Sequence, residues 1–224
     1  MNLKLTARSL VRRLIRPAPF QSKARGIIHV GANTGQERFS YADHNLEVVW
    51  VEPIPKMFEQ LRENLRQFPR QRAYRYLITD KDGQEYPFHI SSNDGQSSSI
   101  FELEKHKEMW PEIVYKDSMI LTSCTLTSFV RKENLDLKAY DALVLDTQGS
   151  ELLVLQGAID ILSSFRFIVV EVADFESYAG CCVLRDTNEF MTKFGFRTRE
   201  RRAFKSVPGV GTYYDVTYER KSAA

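Results

Sequence analysis

At 224 residues, 43% hydrophobic and 27% charged, the chain has the length and composition of one soluble globular domain with a full-sized core. The formal charge is +2, yet residues 1–25 hold Lys4, Arg8, Arg12, Arg13, Arg16, Lys23 and Arg25 and no acid. That leaves 24 bases against 29 acids beyond residue 25, a balance that argues against nucleic acid as a partner of the main body. Cys124, Cys181 and Cys182 make neither a metal-ligand spacing nor an even disulfide set, which fits a reducing, cytoplasmic setting. No apolar run approaches the roughly 18 residues needed to span a bilayer, and arginines interrupt what a signal peptide would keep apolar.

In chain order, Leu3, Leu10, Val11, Leu14 and Ile15 among the bases predict a short amphipathic helix ended by Pro17 and Pro19. Such a helix either packs on the domain or makes a peripheral contact with an anionic membrane or a protein partner. The expected division is a basic helix and linker over residues 1–25 and a single domain over 26–224. Ile27-Ile28-His29-Val30 then runs into the turn Gly31-Ala32-Asn33-Thr34-Gly35, and a helical pattern follows to about Asn45. A strand, a Gly-bearing turn and a helix N-terminus in that order form the ligand-binding corner of an open α/β sheet. Val48–Glu52 is a second strand ending in a carboxylate, placed to accept hydrogen bonds from ribose hydroxyls. The turn lacks the middle glycine of G-x-G-x-x-G, and no phosphate-binding G-x-x-x-x-G-K-[ST] loop occurs. A ligand without phosphates suits it better than NAD does.

Pro53 and Pro55 introduce a helix with Met57, Phe58, Leu61 and Leu65 on its apolar face. Ala73–Thr79 predicts a third strand, Asp80–Gly83 a turn, and Glu85–Ser91 an extra strand in a hairpin with its predecessor. Residues 92–118 are a long polar excursion of the kind that is usually functional or mobile, with Ser97-Ser98-Ser99 in it. A short strand at Met119–Thr122 and a short helix at Leu126–Glu133 come next. Asp141–Asp146 is a buried strand ending in a carboxylate, and Gly149 opens a helix expected to face the sheet with Leu152, Leu153, Leu155 and Ile159. Phe165–Val172 is the most apolar strand yet carries Glu171. A helix at Asp186–Phe194 precedes an antiparallel hairpin of Phe196–Phe204 with Thr212–Glu219. Alternating strands and helices make the sheet mostly parallel. Ligands of such sheets bind outside the strand carboxyl ends, where Gly31–Gly35, Glu52, Asp80, Asp146 and Glu171 all fall.

These positions resemble the FkbM-type S-adenosylmethionine-dependent methyltransferases. The resemblance rests on His29–Gly35, Val51-Glu52-Pro53-x-Pro55, Asp80-x-Asp82-Gly83 and the run from Asp146-Thr147-Gln148-Gly149-Ser150-Glu151 to Gly157-Ala158, over about residues 26–200. It implies a class I (Rossmann-like) methyltransferase fold: a mostly parallel seven-stranded α/β sheet with an antiparallel C-terminal hairpin and an insertion after the third strand. It also implies methyl transfer from S-adenosyl-L-methionine, with S-adenosylhomocysteine as product, to a hydroxyl of a sugar or small natural product. His29, Gly31, Ala32, Asn33 and Gly35 are expected to shape the donor pocket, with Glu52 on the ribose, Asp80 on the adenine, Ser98 closing over the donor and Asp146 beside its methyl group. An alcohol needs a base in hydrogen-bond reach. Asp146 is the first choice, with Glu171 and His89 as alternatives and Glu151 explained by its place in a helix's first turn. Mg²⁺ at Asp146 and Glu171, with Glu151 or Asp174, is possible but not favoured, and no His/Cys set suggests zinc. Two positions depart from the family pattern. His29 replaces an Asp and reads as a core histidine bonded to the Gly loop, and Val144 replaces a Lys. The alternatives are a non-catalytic scaffold of this fold and, less favoured, an NAD-type oxidoreductase.

Overall fold

β1 (Gly26–Val30) is buried along its whole length, as a strand must be when parallel neighbours flank it and both sheet faces are covered. In a computed structural model describing residues 20–221, it lies between β2 (Glu47–Val51) and β7 (Ala142–Leu145), parallel to both. β3 (Gln71–Tyr74), β8 (Phe167–Ala173), β9 (Phe196–Val207) and β10 (Gly211–Arg220) complete a seven-stranded sheet of order β3-β2-β1-β7-β8-β10-β9. β10 runs antiparallel to β8 and to β9, so it alone opposes the other strands. The strand order reverses between β1 and β7, which makes their carboxyl ends the switch point where ligands bind.

The two-residue period of the strands sorts the core into two faces. Ile28, Val49, Leu143 and Ile168 pack against α4 (Leu126–Lys132), α5 (Glu151–Gln156) and α6 (Leu184–Lys193) through Phe129, Val154, Leu155 and Met191. Ile27, Val48, Trp50, Ala142 and Phe167 face the other way, toward Tyr41 of α1 (Arg38–Asp43), Leu61 of α2 (Pro55–Asn64) and Phe20. Each such aliphatic side chain, fully buried, contributes about 1.5–3 kcal/mol. Phe20 is 2% exposed and its ring lies 6.1 Å from Phe167, so the end of the expected linker is part of this layer. The predicted helix over residues 3–15 lies outside the described residues. No helix among the described residues is long and apolar enough to cross a membrane.

Three expectations are corrected. The third strand is split: after β3 the chain leaves the main sheet, and β4 (Leu77–Thr79) joins a second, three-stranded sheet. β5 (Glu85–Ser91) does not pair with its predecessor. Its antiparallel partner is β6 (Tyr115–Thr125), far longer than the expected Met119–Thr122, which lies between β4 and β5. Ladder pairing of β6 on both sides outweighs the local hairpin that the Asp80–Gly83 turn suggests. Finally, α5 stops at Gln156, a 3₁₀ turn follows, and Ile159 is 45% exposed instead of facing the sheet.

Candidate active site

A cavity of about 760 Å³ opens at the switch point. Its floor starts at the turn after β1. Gly31 has φ +87°, and a Cβ there would sit 1.8 Å from the Asp146 carbonyl oxygen, so only glycine lets this turn cross the end of β7. Asn33, at φ 46°, donates its backbone N–H to Glu52 Oε2 at 2.7 Å, while Ile54 N–H donates to Glu52 Oε1 at 2.9 Å. The two bonds fix the carboxylate at the mouth of β2, and burial pushes its pKa up to about 7. Asn33 Nδ2 also donates to the Asp94 carbonyl at 3.0 Å, which ties the Gly turn to the polar excursion.

That excursion is not a flexible linker. Ser91 N–H donates to Ser98 Oγ at 3.0 Å, Ser97 N–H donates to Ser91 Oγ at 3.1 Å, and Ser97, Ser98 and Ser99 are all buried. Ser97 and Ser98 line the cavity. Local side-chain-to-backbone bonds hold this stretch, and Ser99 adds an antiparallel bridge to His89.

The loop after β7 gathers polar and titratable groups at the cavity. Asp146 N–H donates to the Val30 carbonyl at 3.0 Å, placing the residue against the Gly turn. Gln148 holds the left-handed backbone conformation at φ 54°, and its Nε2 donates to both Asp146 Oδ1 at 2.6 Å and Glu171 Oε1 at 3.0 Å. Tyr178 donates its hydroxyl to Gln148 Oε1 at 2.6 Å and so fixes the amide's orientation. Glu151 turns back to accept from Thr147 N–H at 2.8 Å and Gly149 N–H at 3.0 Å, which makes it the clamp of the loop. Gly149 (φ +105°) packs under Tyr178 and Cys181. Burial pushes Asp146 up to about 6, and burial with the charges of Asp146 and Asp215 holds Glu171 well above the usual carboxylate range.

Asp215 stands directly across from Glu171 in the β8–β10 register, and Arg202 stands across from Asp215 on β9. Arg202 bonds Asp215 at 2.6 Å. The cavity lining therefore sets Glu37, Glu52, Asp146, Glu171, Glu200 and Asp215 against the one guanidinium of Arg202. Its two histidines add no charge at neutral pH, because burial lowers His29 to about 3 and His106 to about 4. Val144, which also lines the cavity, puts a neutral side chain where a lysine would have offset this excess.

The structure brings His29, Gly31, Ala32, Asn33, Glu52, Ser98, Asp146 and Glu171 to one cavity. Gly35 stands beside it, where a Cβ would meet Leu61 at 2.7 Å. His29 bonds the Tyr41 hydroxyl at 3.1 Å and stacks on Trp50 at 4.8 Å, so its partner is the next helix, not the Gly loop. Asp80 is not brought in: the chain turns after β4, Leu77 and Ile78 face the cavity, and Asp80 lies by Tyr86. Nor is His89, which stacks on Tyr115 at 4.8 Å and pairs with Glu102 at 3.3 Å. Asp174 accepts from Thr212 N–H and the Tyr214 hydroxyl, and Glu151 is spent on its loop, so neither joins Asp146 and Glu171. Among the described residues no three His, Cys, Asp or Glu side chains are arranged to hold a metal ion.

The chain matches the methyltransferase FkbM domain over residues 29–198. It belongs to the FkbM methyltransferase family. It is 27% identical over 195 residues to the 2-O-methyltransferase NoeI of Sinorhizobium fredii strain NBRC 101917 / NGR234, covering 84% of this chain and 76% of NoeI. Its fold is similar to that of Streptococcus pneumoniae Sp1610, assigned to tRNA (m1A22) methylation and solved with S-adenosyl-L-methionine, at 6% identity and TM-score 0.50. That match covers 92% of this chain and 73% of Sp1610. The seven-stranded sheet with its antiparallel β10 is thus a class I methyltransferase fold.

Glu37, Asp215 and Arg202 are not singled out from the sequence, and Gln148 stands there only as a member of the motif. Gln148 sits inside the FkbM motif, but its role depends on a left-handed backbone that only the structure reveals. Asp215 is found from sequence only if the β8–β10 register is known.

Proposed function

We propose that this FkbM family member is an S-adenosyl-L-methionine-dependent O-methyltransferase acting on a hydroxyl of a sugar or small natural product. The observation that carries this is the Asp146–Gln148–Glu171 unit at the switch point, in the same cavity as the Gly31–Asn33 turn and Glu52. Glu52 would accept the ribose hydroxyls with the lone pairs its backbone bonds leave free, and the apolar Leu77 and Ile78 would meet the adenine. The acidic lining suits a sulfonium cation and, since anions are repelled, disfavours NAD with its pyrophosphate. When bound, the donor supplies an already activated methyl group. The chain has to hold an acceptor oxygen in line, exclude water and take a proton. Asp146, with a pKa of about 6, is ionised at neutral pH and suited to accept that proton. The relation to NoeI, a 2-O-methyltransferase, supports oxygen as the acceptor atom.

The test is transfer of labelled methyl from S-adenosyl-L-methionine to a panel of saccharides and hydroxylated natural products. Asp146→Asn is expected to lower kcat at least 100-fold while still binding donor. Transfer by that variant at the parent's rate would remove Asp146 as base. Donor bound with no oxygen methylated in any acceptor, but label found on nitrogen or carbon, would overturn the O-methyl assignment.

A further inference from the structure

We infer that His106, Trp110 and Thr147 form the acceptor subsite of this cavity, and that it takes an uncharged polyhydroxylated ring. The inference rests on the methyltransferase function proposed above and specifies its acceptor.

His106 lines the cavity at 1% exposure, yet its Nδ1 has no hydrogen-bond partner. Thr147 Oγ1, one residue after Asp146, is likewise buried without a partner and lies in the same lining. Buried polar atoms in native proteins are almost always paired, so two orphans on residues that line one cavity point to a group that a ligand brings. A neutral imidazole and a hydroxyl can each donate or accept, and a sugar hydroxyl can do both. Trp110 lines the cavity beside them, its ring 4.8 Å from that of His106 and 5.1 Å from that of Tyr213. Contact with an indole ring and hydrogen bonds to neutral partners are how an uncharged sugar ring is held.

The subsite is rigidly joined to the catalytic loop. His106 N–H donates to the Ser177 carbonyl at 2.9 Å, and Ala179 N–H donates to the Glu102 carbonyl at 2.9 Å. These bonds pin α3 (His106–Met109) to the loop after β8. The Tyr178 ring packs 5.2 Å from His106, and its hydroxyl holds the Gln148 amide that holds Asp146. His106 thus rests against the ring whose hydroxyl orients the Gln148 amide beside Asp146. Charge restricts the class. Even with Glu37, Glu52 and Glu171 raised by burial, the acids of the lining outnumber its single guanidinium, which Asp215 already engages, so a phosphate or carboxylate on the acceptor would be repelled. Lys205, whose ammonium lies 5.7 Å from the Trp110 ring, is outside the lining.

The chain has 2 tryptophans, and Trp50 is fully buried in the core, so tryptophan emission on adding saccharide reports on Trp110. Methyl glycosides of neutral hexoses are titrated into the full chain saturated with S-adenosylhomocysteine, read by emission and by saturation-transfer NMR. At least one glycoside is expected to bind. His106→Ala is expected to weaken it at least tenfold with S-adenosylhomocysteine affinity unchanged, and His106→Asn, which keeps a polar group near Nδ1, to recover most of the loss. Hexose 6-phosphates and hexuronates are expected to bind at least tenfold more weakly. If His106→Ala does not fold, Trp110→Phe and His106→Asn carry the same comparison against the parent chain. Glycoside affinity unaltered by substitution of His106 and Trp110, phosphates bound as tightly, or no glycoside bound by a protein that binds S-adenosylhomocysteine would overturn the subsite. Failure to bind S-adenosylhomocysteine itself would instead overturn the methyltransferase function on which it rests.

Discussion

Gln148→Met keeps the length of the side chain and removes the amide that joins Asp146 to Glu171. A hydrogen bond to a charged group is worth about 1.5–3 kcal/mol, and one pKa unit is about 1.4 kcal/mol. Losing the 2.6 Å bond should therefore raise Asp146 from its pKa of about 6 by about one to two units. A base must be deprotonated to work, so activity falls as pH drops through its pKa, and the acid limb of kcat/KM moves upward in the variant. At pH near 6 the variant should be slower by about five- to fifty-fold, and near pH 9 the two enzymes should converge. The orphaned Tyr178 hydroxyl should cost about 1–3 kcal/mol of stability, visible in a denaturant melt. The assay is labelled-methyl transfer across pH. An acid limb that does not move, or a loss equal at every pH, would refute the role given to Gln148.

Gly31→Ala places a Cβ 1.8 Å from the Asp146 carbonyl oxygen at φ +87°, and should lower the melting temperature by about 5–15 °C. Glu52 and Glu151 carry carboxyls raised from the ordinary 4.5 to about 7 by burial. Their contribution to stability is whole below pH 4.5 and is lost as pH rises toward 7. The melting temperature of the ligand-free protein should thus fall across that window, and Glu151→Gln should reduce the slope. Asp215→Asn removes the charge opposite Glu171, so the acid limb of the rate profile should shift to lower pH, opposite in direction to Gln148→Met.

Much of the fold is legible because its signals are local. Ile27-Ile28-His29-Val30 before Gly31, Val48–Val51 before Glu52 and Ala142–Leu145 before Asp146 each announce a buried strand ending at a polar turn. These three ends meet at the switch point. The insertion is less legible, since β5 pairs with β6 across the excursion, a choice settled by tertiary ladder bonds and not by the Asp80–Gly83 turn. In the site, Glu52 and Asp146 are visible as strand-end acids. Glu151 is visible too, but its two oxygens are consumed by Thr147 and Gly149, which no spacing rule foretells. Asp80 and His89 are outside the cavity lining, His89 being held by Tyr115 and Glu102, and sequence position alone does not resolve where a side chain goes.

Isothermal titration of S-adenosyl-L-methionine and S-adenosylhomocysteine, with Glu52→Ala as control, tests the central claim most directly. The account predicts micromolar binding of both ligands, tighter for the sulfonium in this acidic cavity, and loss of binding in the variant. A folded protein that binds neither, or a variant that binds both as the parent does, would contradict it.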